Sequence, residues 1–396
     1  MANLFDYLAW RGDLDFEKSP FNPVDNIIFS QLSYLPFDGI VPGPDEKDGI
    51  SIRLAASIFN EKLENNTSHI KSSVMFKEDP LLINTLASSS RFGDCRLLGY
   101  VNHIDTVREI QFSAYCVYTG DDSCFIVFRG TDFTFVGWKE DFNMSFNDSV
   151  PAQLEAVEYL KKMALRFKGP LRVGGHSKGG NLAVYAAANC GEKVQKRITE
   201  IYSNDAPGFH ESVISGAGFV KIRDRVHSFI PQSSVVGMLL EHGCDYSVIK
   251  SSKIGLLQHE LYSWEVTRND MVHVDEVTVG SRFVDKTLRT WIAALNDKDR
   301  EKFINALFSI LSASRAKSIP ELEKNWLKAA GRMLKSLGNT DESTRHLLRK
   351  TLAELFNAAR RNIDTFEIVQ KISLINPSSN RKPIEIDIEA KLADYV

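Results

Sequence analysis

Nowhere in the 396 residues do 18 apolar residues follow one another, so no segment reads as a membrane-spanning helix. The N-terminal stretch MANLFDYLAWRGDLDFEKSPF places acidic residues where a secretory signal needs a continuous apolar segment, which argues against export by that route. Cysteine is scarce. The five present (Cys95, Cys116, Cys124, Cys190 and Cys244) are widely spaced, odd in number and form no CxxC pair, a pattern that fits reduced thiols in a cytoplasmic protein. An excess of charge is also missing: 48 Lys and Arg stand against 51 Asp and Glu, a net charge of -3, so no electrostatic footprint for nucleic acid is expected. The local basic groups at Arg345 to Lys350 and Arg360-Arg361 lie inside helical patterns and read as solvated faces. There is no internal repeat and no low-complexity tract.

What is present is a globular composition, 43% hydrophobic and 25% charged, on a chain longer than one compact core usually needs. Residues 1–90 read as helix and loop, with Asn22-Pro23 as an N-cap followed by proline at the first helical position. From Arg96 the pattern turns to strands: RLLGYVNHI, IQFSAYCVY and SCFIVFRG, separated by short polar turns. The run AQLEAVEYLKKMALRF then leads to LRVGG, NLAVYAAANC to ITEIYS, and RVHSFIP follows. Alternating helices and strands predict an α/β fold with a central, mostly parallel sheet covered on both faces. After about Arg282 the strand signal stops. Stripes at Phe303, Leu307, Ile310 and Leu311, then at Leu322, Trp326, Ala330, Met333 and Leu337 before Gly338 as a C′ residue, then at Leu348, Leu352, Leu355 and Phe356 after Thr340 as N-cap, predict three helices. The expected division is a catalytic domain over 1–281 with a helical N-terminal part at 1–90, a helical region over 282–378, and a tail over 379–396.

The segment LRVGGHSKGGNLAVYAA encloses Ser177 among glycines between a strand and a helix. Gly175-His176-Ser177-Lys178-Gly179 is a GxSxG match, weak by itself, but the strand before it and the helix after it are the setting of a nucleophile elbow. Such a turn strains the backbone at the serine and brings strand and helix together, so residues without side chains are needed on either side. A serine hydroxyl needs a base, and the base needs a carboxylate to set its tautomer. Asp205, at the C-terminal end of the next strand, is the best placed acid, with Asp245 as the alternative. Of the histidines after Ser177, His210 and His227 read as structural; His259 in LLQHELYSWEV is the leading base and His242 the next. Two oxyanion donors complete the requirement: the backbone N–H of Lys178 and one from the loop Gly130-Thr131 after an earlier strand.

The order of VFRGT, WKEDF and VGGHSKGGNLA resembles the class 3, fungal-type triacylglycerol lipases. The resemblance implies an oxyanion N–H at Thr131, a lid over about Phe133 to Phe142, and a base at His259. Together with FDYLAWRGDL, SQLSYL and QHELYSW, the chain is most similar to the bacterial Mbeg-like group of lipase-related α/β-hydrolases over nearly its whole length. Two departures stand out. Class 3 lipases carry their acid one strand later than Asp205, where this chain has Ser233 and Ser234. Lys178 replaces their leucine, and its ammonium either pairs with a nearby acid or biases the site toward anionic substrates.

The function expected is cleavage of acyl esters, on acylglycerol-like lipids, by Ser177, His259 and Asp205 through an acyl-enzyme. No cofactor or metal is expected, and the partners are a small acyl ester or lipid, with transient membrane-surface contact left open. A thioesterase or acyltransferase would use the same residues, and a non-catalytic binding module on the same fold is the remaining alternative. Two apolar loops, one with Phe133, Phe135, Val136 and Trp138, the other with Val235, Val236, Met238, Leu239 and Leu240, suit an acyl pocket or gate. The competing expectation is that both pack as core under the C-terminal helices.

Overall fold

The computed structural model describes residues 1–65, 73–132, 134–144, 147, 149–294, 296–314, 326–351, 353, 354 and 357. Its centre is a nine-stranded sheet in the order β1-β2-β3-β4-β5-β6-β7-β8-β11. The strands are β1 (Ile50–Ser51), β2 (Arg96–Asp105), β3 (Ile110–Tyr118), β4 (Cys124–Phe128), β5 (Leu171–His176), β6 (Ile198–Asn204), β7 (Val226–Pro231), β8 (Tyr246–Ile249) and β11 (His273–Val274). A separate hairpin joins β9 (Val266–Thr267) to β10 (Asp270–Met271). The short polar turns noted in the sequence make β2, β3 and β4 an antiparallel meander, whereas β4 through β8 run parallel because longer connections, helical except for the loop between β7 and β8, carry the chain back across the sheet. Antiparallel pairing returns at the β8–β11 edge.

The helices are α1 (Leu4–Arg11), α2 (Pro23–Leu32), α3 (Ile52–Glu64), α4 (Asp79–Ser88), α5 (Phe135–Asn143), α6 (Pro151–Arg166), α7 (Lys178–Asn189), α8 (Val279–Ala294), α9 (Asp297–Ala313) and α10 (Trp326–Asn339), with a few single turns between. Alternate residues of a strand face opposite sides, and here both sides are dry. Tyr115, Val117, Phe125 and Val127 join the core formed with the N-terminal helices; Ala114, Cys116, Ile126 and Phe128 join the core under α6 and α7. That is why β3 and β4 read as almost unbroken apolar runs. The start of α2 follows the expected signal, since the Asn22 side chain accepts from the Val24 and Asp25 amides and the Asp25 carboxylate accepts from the Asn22 amide.

Among the described residues four helices follow the sheet, α8, α9, α10 and one over 342–351, and α9 packs Phe303, Ile304 and Phe308 with Leu348 against Phe135 and Phe142 of α5. Two details of their ends differ from expectation. Gly338 lies inside α10, which runs on to Asn339. The next helix is capped by Asp341, whose carboxylate accepts from the Thr344 amide at 2.9 Å, while Thr340 turns its hydroxyl back to the Leu337 carbonyl at 2.7 Å. A carboxylate is the stronger cap acceptor, and the hydroxyl is more useful satisfying a carbonyl left open at the end of α10. Leu322, Leu352, Leu355, Phe356 and the tail at 379–396 lie outside the described residues.

Candidate active site

The parallel register brings four strand ends to one edge of the sheet. Phe128 pairs with Gly175, His176 with Asn204, and Asn204 with Phe229, so Gly130-Thr131, Ser177, Asp205 and Ser234 all leave the sheet on the same side. At the end of β5, Ser177 adopts φ 56° and ψ -133°, and its amide donates to the Asn204 carbonyl at 2.9 Å. A non-glycine residue with such angles carries strain of about 1–3 kcal/mol, and the surrounding packing must hold it. The glycines make that packing feasible. A Cβ at Gly175 would come within 2.3 Å of the Phe128 carbonyl oxygen, and one at Gly179 within 2.1 Å of the same atom. Both departures from ordinary side chains that the sequence foreshadowed are therefore required by close approach of β4 to the β5–α7 turn.

Asp205 follows β6 with φ 46° and is almost fully buried. Its Oδ2 accepts from His259 Nδ1 at 2.6 Å; its Oδ1 accepts from the Ser234 hydroxyl at 2.5 Å and the Gly237 amide at 3.1 Å. A bond from Nδ1–H to a carboxylate sets the tautomer in which Nε2 is the basic nitrogen. Thus the loop with Ser233 and Ser234, which carries no acid of its own, supplies two donors to the acid one strand away. Gly237 cannot be replaced there, because a Cβ would lie 2.4 Å from Asp205 Oδ1. His242 instead meets the Gly237 carbonyl through Nε2, His210 meets the Met144 carbonyl at 2.9 Å, and His227 stacks on Tyr202. Asp245 is exposed.

Four residues of QHELYSW hold the loop in place. The Gln258 amide oxygen accepts from the Ser233 amide at 2.8 Å, and the buried Trp264 donates from its indole to the Gln258 carbonyl at 2.9 Å. Tyr262 donates to Asp79 at 2.8 Å, where burial pushes the Asp79 carboxyl up to about 6. His259 itself is held through its backbone, since its carbonyl accepts from His176 Nε2 at 2.8 Å and the two rings stand 4.3 Å apart.

Thr131 lies in the loop beside the serine: a Cβ on the preceding Gly130 would be 3.1 Å from the Ser177 Cβ. The Thr131 hydroxyl donates to the Asp141 carboxylate on α5. Lys178 begins α7 with its side chain fully buried. Its three ammonium protons meet three acceptors: the Gln111 side-chain oxygen at 2.6 Å, the Gln111 carbonyl at 2.9 Å and Glu140 Oε2 at 3.0 Å. Glu140, also fully buried, accepts in addition from the Ala152 and Gln111 amides. The ammonium is thus committed to an internal partner, the first of the two roles expected for it.

The same pair bears on the segment expected to be a lid. Residues 135–143 are a helix pinned from beneath by Glu140, and removing one member of a buried pair costs about 3–5 kcal/mol. Phe135 and Phe142 pack toward α9, while Trp138 is 41% exposed. Met238 is buried against Ile230, Val248 and Val277, whereas Val236 and Leu239 beside it are half-buried; Phe133 lies outside the described residues. Sequence reasoning missed Tyr34, Gln111, Glu140, Asp141, Ser234 and Gly237 as supports of this edge. For four of them a signal existed: Tyr34 lies in SQLSYL, Glu140 and Asp141 lie in WKEDF, and Ser234 stands where an acid is absent. Among the described residues no three His, Cys, Asp or Glu side chains cluster in a way that could hold a metal ion.

Fold and site together define an α/β protein with a strained serine between a strand and a helix, and a partly exposed histidine bonded to a buried aspartate on the same sheet edge. The chain belongs to the Mbeg1-like family, whose model matches residues 86–309, more than half of the 396. That span contains Ser177, Asp205 and His259. No curated protein matches the chain.

Proposed function

We propose that the protein is a serine hydrolase of carboxylic acyl esters on an α/β-hydrolase fold, acting on acylglycerol-like lipids. Ser177 Oγ attacks the acyl carbonyl while His259 Nε2 takes its proton, and Asp205 holds the imidazolium that forms. The backbone N–H groups of Thr131 and Lys178 receive the negative charge of the tetrahedral oxygen. His259 then gives its proton to the leaving alcohol, and a water molecule, deprotonated by the same histidine, releases the acid and restores Ser177. The observation that carries this reading is the 2.6 Å His259–Asp205 bond at the sheet edge where Ser177 takes its positive φ. The likeness to class 3 lipases in VFRGT, WKEDF and GHSKGG supports the substrate class.

We further propose that residues 1–281 form the catalytic unit, that the helices after it are an appendage packed on α5, and that the partner is the lipid or ester itself, met in solution or at a membrane surface, with no nucleic acid. A cytoplasmic setting is supported by five cysteines that are all unpaired. Among the described residues no helix is long and apolar enough to cross a membrane. The test is labelling by a fluorophosphonate probe together with turnover of p-nitrophenyl esters of graded chain length. Wild type should label and turn over butyrate or longer esters, and Ser177→Ala, His259→Ala and Asp205→Asn should each lose at least about 10³-fold in kcat. Labelling that persists in Ser177→Ala would overturn the assignment.

A further inference from the structure

Tyr34 belongs to the N-terminal segment that precedes the family match, yet it reaches the candidate active site. It sits in the turn after α2, is 4% exposed, and its ring packs edge-on against both Phe76 and His176. Its hydroxyl lies 2.7 Å from His176 Nδ1, and the other nitrogen of that ring, Nε2, lies 2.8 Å from the His259 carbonyl oxygen. A carbonyl can only accept, so Nε2 carries a proton. Burial, and then the neighbouring His259, hold the His176 imidazole well below its ordinary pKa, so the ring is neutral and Nδ1 has no proton. The Tyr34 hydroxyl must therefore donate to Nδ1, and burial raises its own pKa, which keeps it a donor.

The chain of donors runs in one direction: Tyr34 O–H to His176 Nδ1, then His176 Nε2–H to the His259 carbonyl. Asp205 holds the ring of His259; His176 holds its backbone. Without the phenol, the His176 ring can exchange tautomers, and the Nδ1–H form offers the His259 carbonyl no donor. We propose that Tyr34 is a positioning residue for the base, setting the tautomer of His176 so that His176 fixes the backbone of His259. This rests on the assignment of His259 as the base in the proposed hydrolase. Gly130 fits closely around the same point, since a Cβ there would come within 2.2 Å of the Tyr34 hydroxyl oxygen and 2.6 Å of the His176 carbonyl. The phenol therefore also stands against the loop expected to donate to the oxyanion, so that one N-terminal side chain touches both sides of the serine turn.

The experiment uses the full-length protein labelled with ¹⁵N-histidine, read by long-range ¹H–¹⁵N correlation, together with turnover of p-nitrophenyl butyrate and fluorophosphonate labelling. In wild type, His176 should show the neutral Nε2–H pattern. In Tyr34→Phe that pattern should give way to mixed tautomers, the His259 signals should shift, and kcat should fall roughly 10- to 100-fold with KM within about twofold, as expected when a reacting group is slightly misplaced. An Nδ1–H tautomer of His176 in wild type overturns the proposal even if Tyr34→Phe fails to fold. Wild-type labelling with unchanged kcat in a folded Tyr34→Phe protein overturns the role of Tyr34 alone. Absence of labelling at Ser177 in wild type overturns the hydrolase reading and this one with it.

Discussion

The two helical regions that flank the strands look alike in sequence and are used in opposite ways. In the N-terminal region nine of the ten residues of α2 are buried, among them Asp25, Asn26, Ser30 and Gln31, and each of these polar groups has an internal partner. Asn26 exchanges two hydrogen bonds with Asn204, the residue before Asp205, and Asp79 anchors Tyr262 in the His259 loop. The C-terminal helices instead meet the rest of the protein at α5 through an apolar patch of Phe135, Phe142 and Phe308, and at the start of α8, where Ser281 donates to the Ser234 carbonyl. One region is therefore a wall of the site, built of directional bonds. The other is a cover, joined mainly by non-directional packing that tolerates local opening.

The sharpest way to break this contrast is Arg91→Ala. Arg91 and Asp25 are fully buried and 2.6 Å apart, so the variant leaves an unpaired carboxylate in the N-terminal core. A loss of about 3–5 kcal/mol is expected. Hydrogen exchange should show β5 and α7 losing protection together with α2. Phe308→Ala, in the C-terminal cluster, should release α9 while β5 and α7 keep their protection and the main unfolding transition moves by less than about 1 kcal/mol. Equal loss of protection in both variants would erase the distinction.

A second difference is electrostatic. Asp79 in the N-terminal region has its carboxyl pushed up to about 6 by burial, from an ordinary value of 3.8. Because the folded state holds this proton more tightly than the unfolded chain, its contribution is fully present below about pH 4 and is lost as pH rises through 6. The stability of wild type relative to Asp79→Asn, measured by urea unfolding across pH 4–7, should fall by about 2–3 kcal/mol over that window. A flat difference would show that Asp79 is ionised at no cost.

The smallest test applies one change at two helix starts. Asn22 caps α2 in a buried setting and also donates to the Tyr7 hydroxyl at 2.8 Å; Asn296 caps α9 at the exposed surface. Asn22→Ala should cost about 1–2 kcal/mol of global stability and Asn296→Ala about 0.5 kcal/mol, seen only as faster exchange in the first turn of α9.

The legible parts of the chain were those governed by local rules. The Asn22-Pro23 start, the three strands from Arg96 and the glycines about Ser177 each follow from backbone geometry, and an order of serine, acid and histidine, with the strand end before Asp205 and the likeness of QHELYSW, made Asp205 and His259 the leading candidates. The chain alone could not distinguish a cap at Thr340 from one at Asp341, because both residues are competent and the choice depends on where α10 stops. It could not show that the region expected to be a lid is pinned by Lys178 and Glu140, 38 residues apart.

Composition, periodicity and turn chemistry by themselves determined that this is an α/β protein, and where its strained serine falls, since those properties act within a few residues. The partners of the site were decided only by the tertiary structure. Tyr34 meets His176 across 142 positions, and Asn26 meets Asn204 across 178. Such bonds leave little trace in local pattern, because a buried polar side chain is tolerated only where its partner has been brought to it, and that meeting is made by packing α2 beneath the sheet.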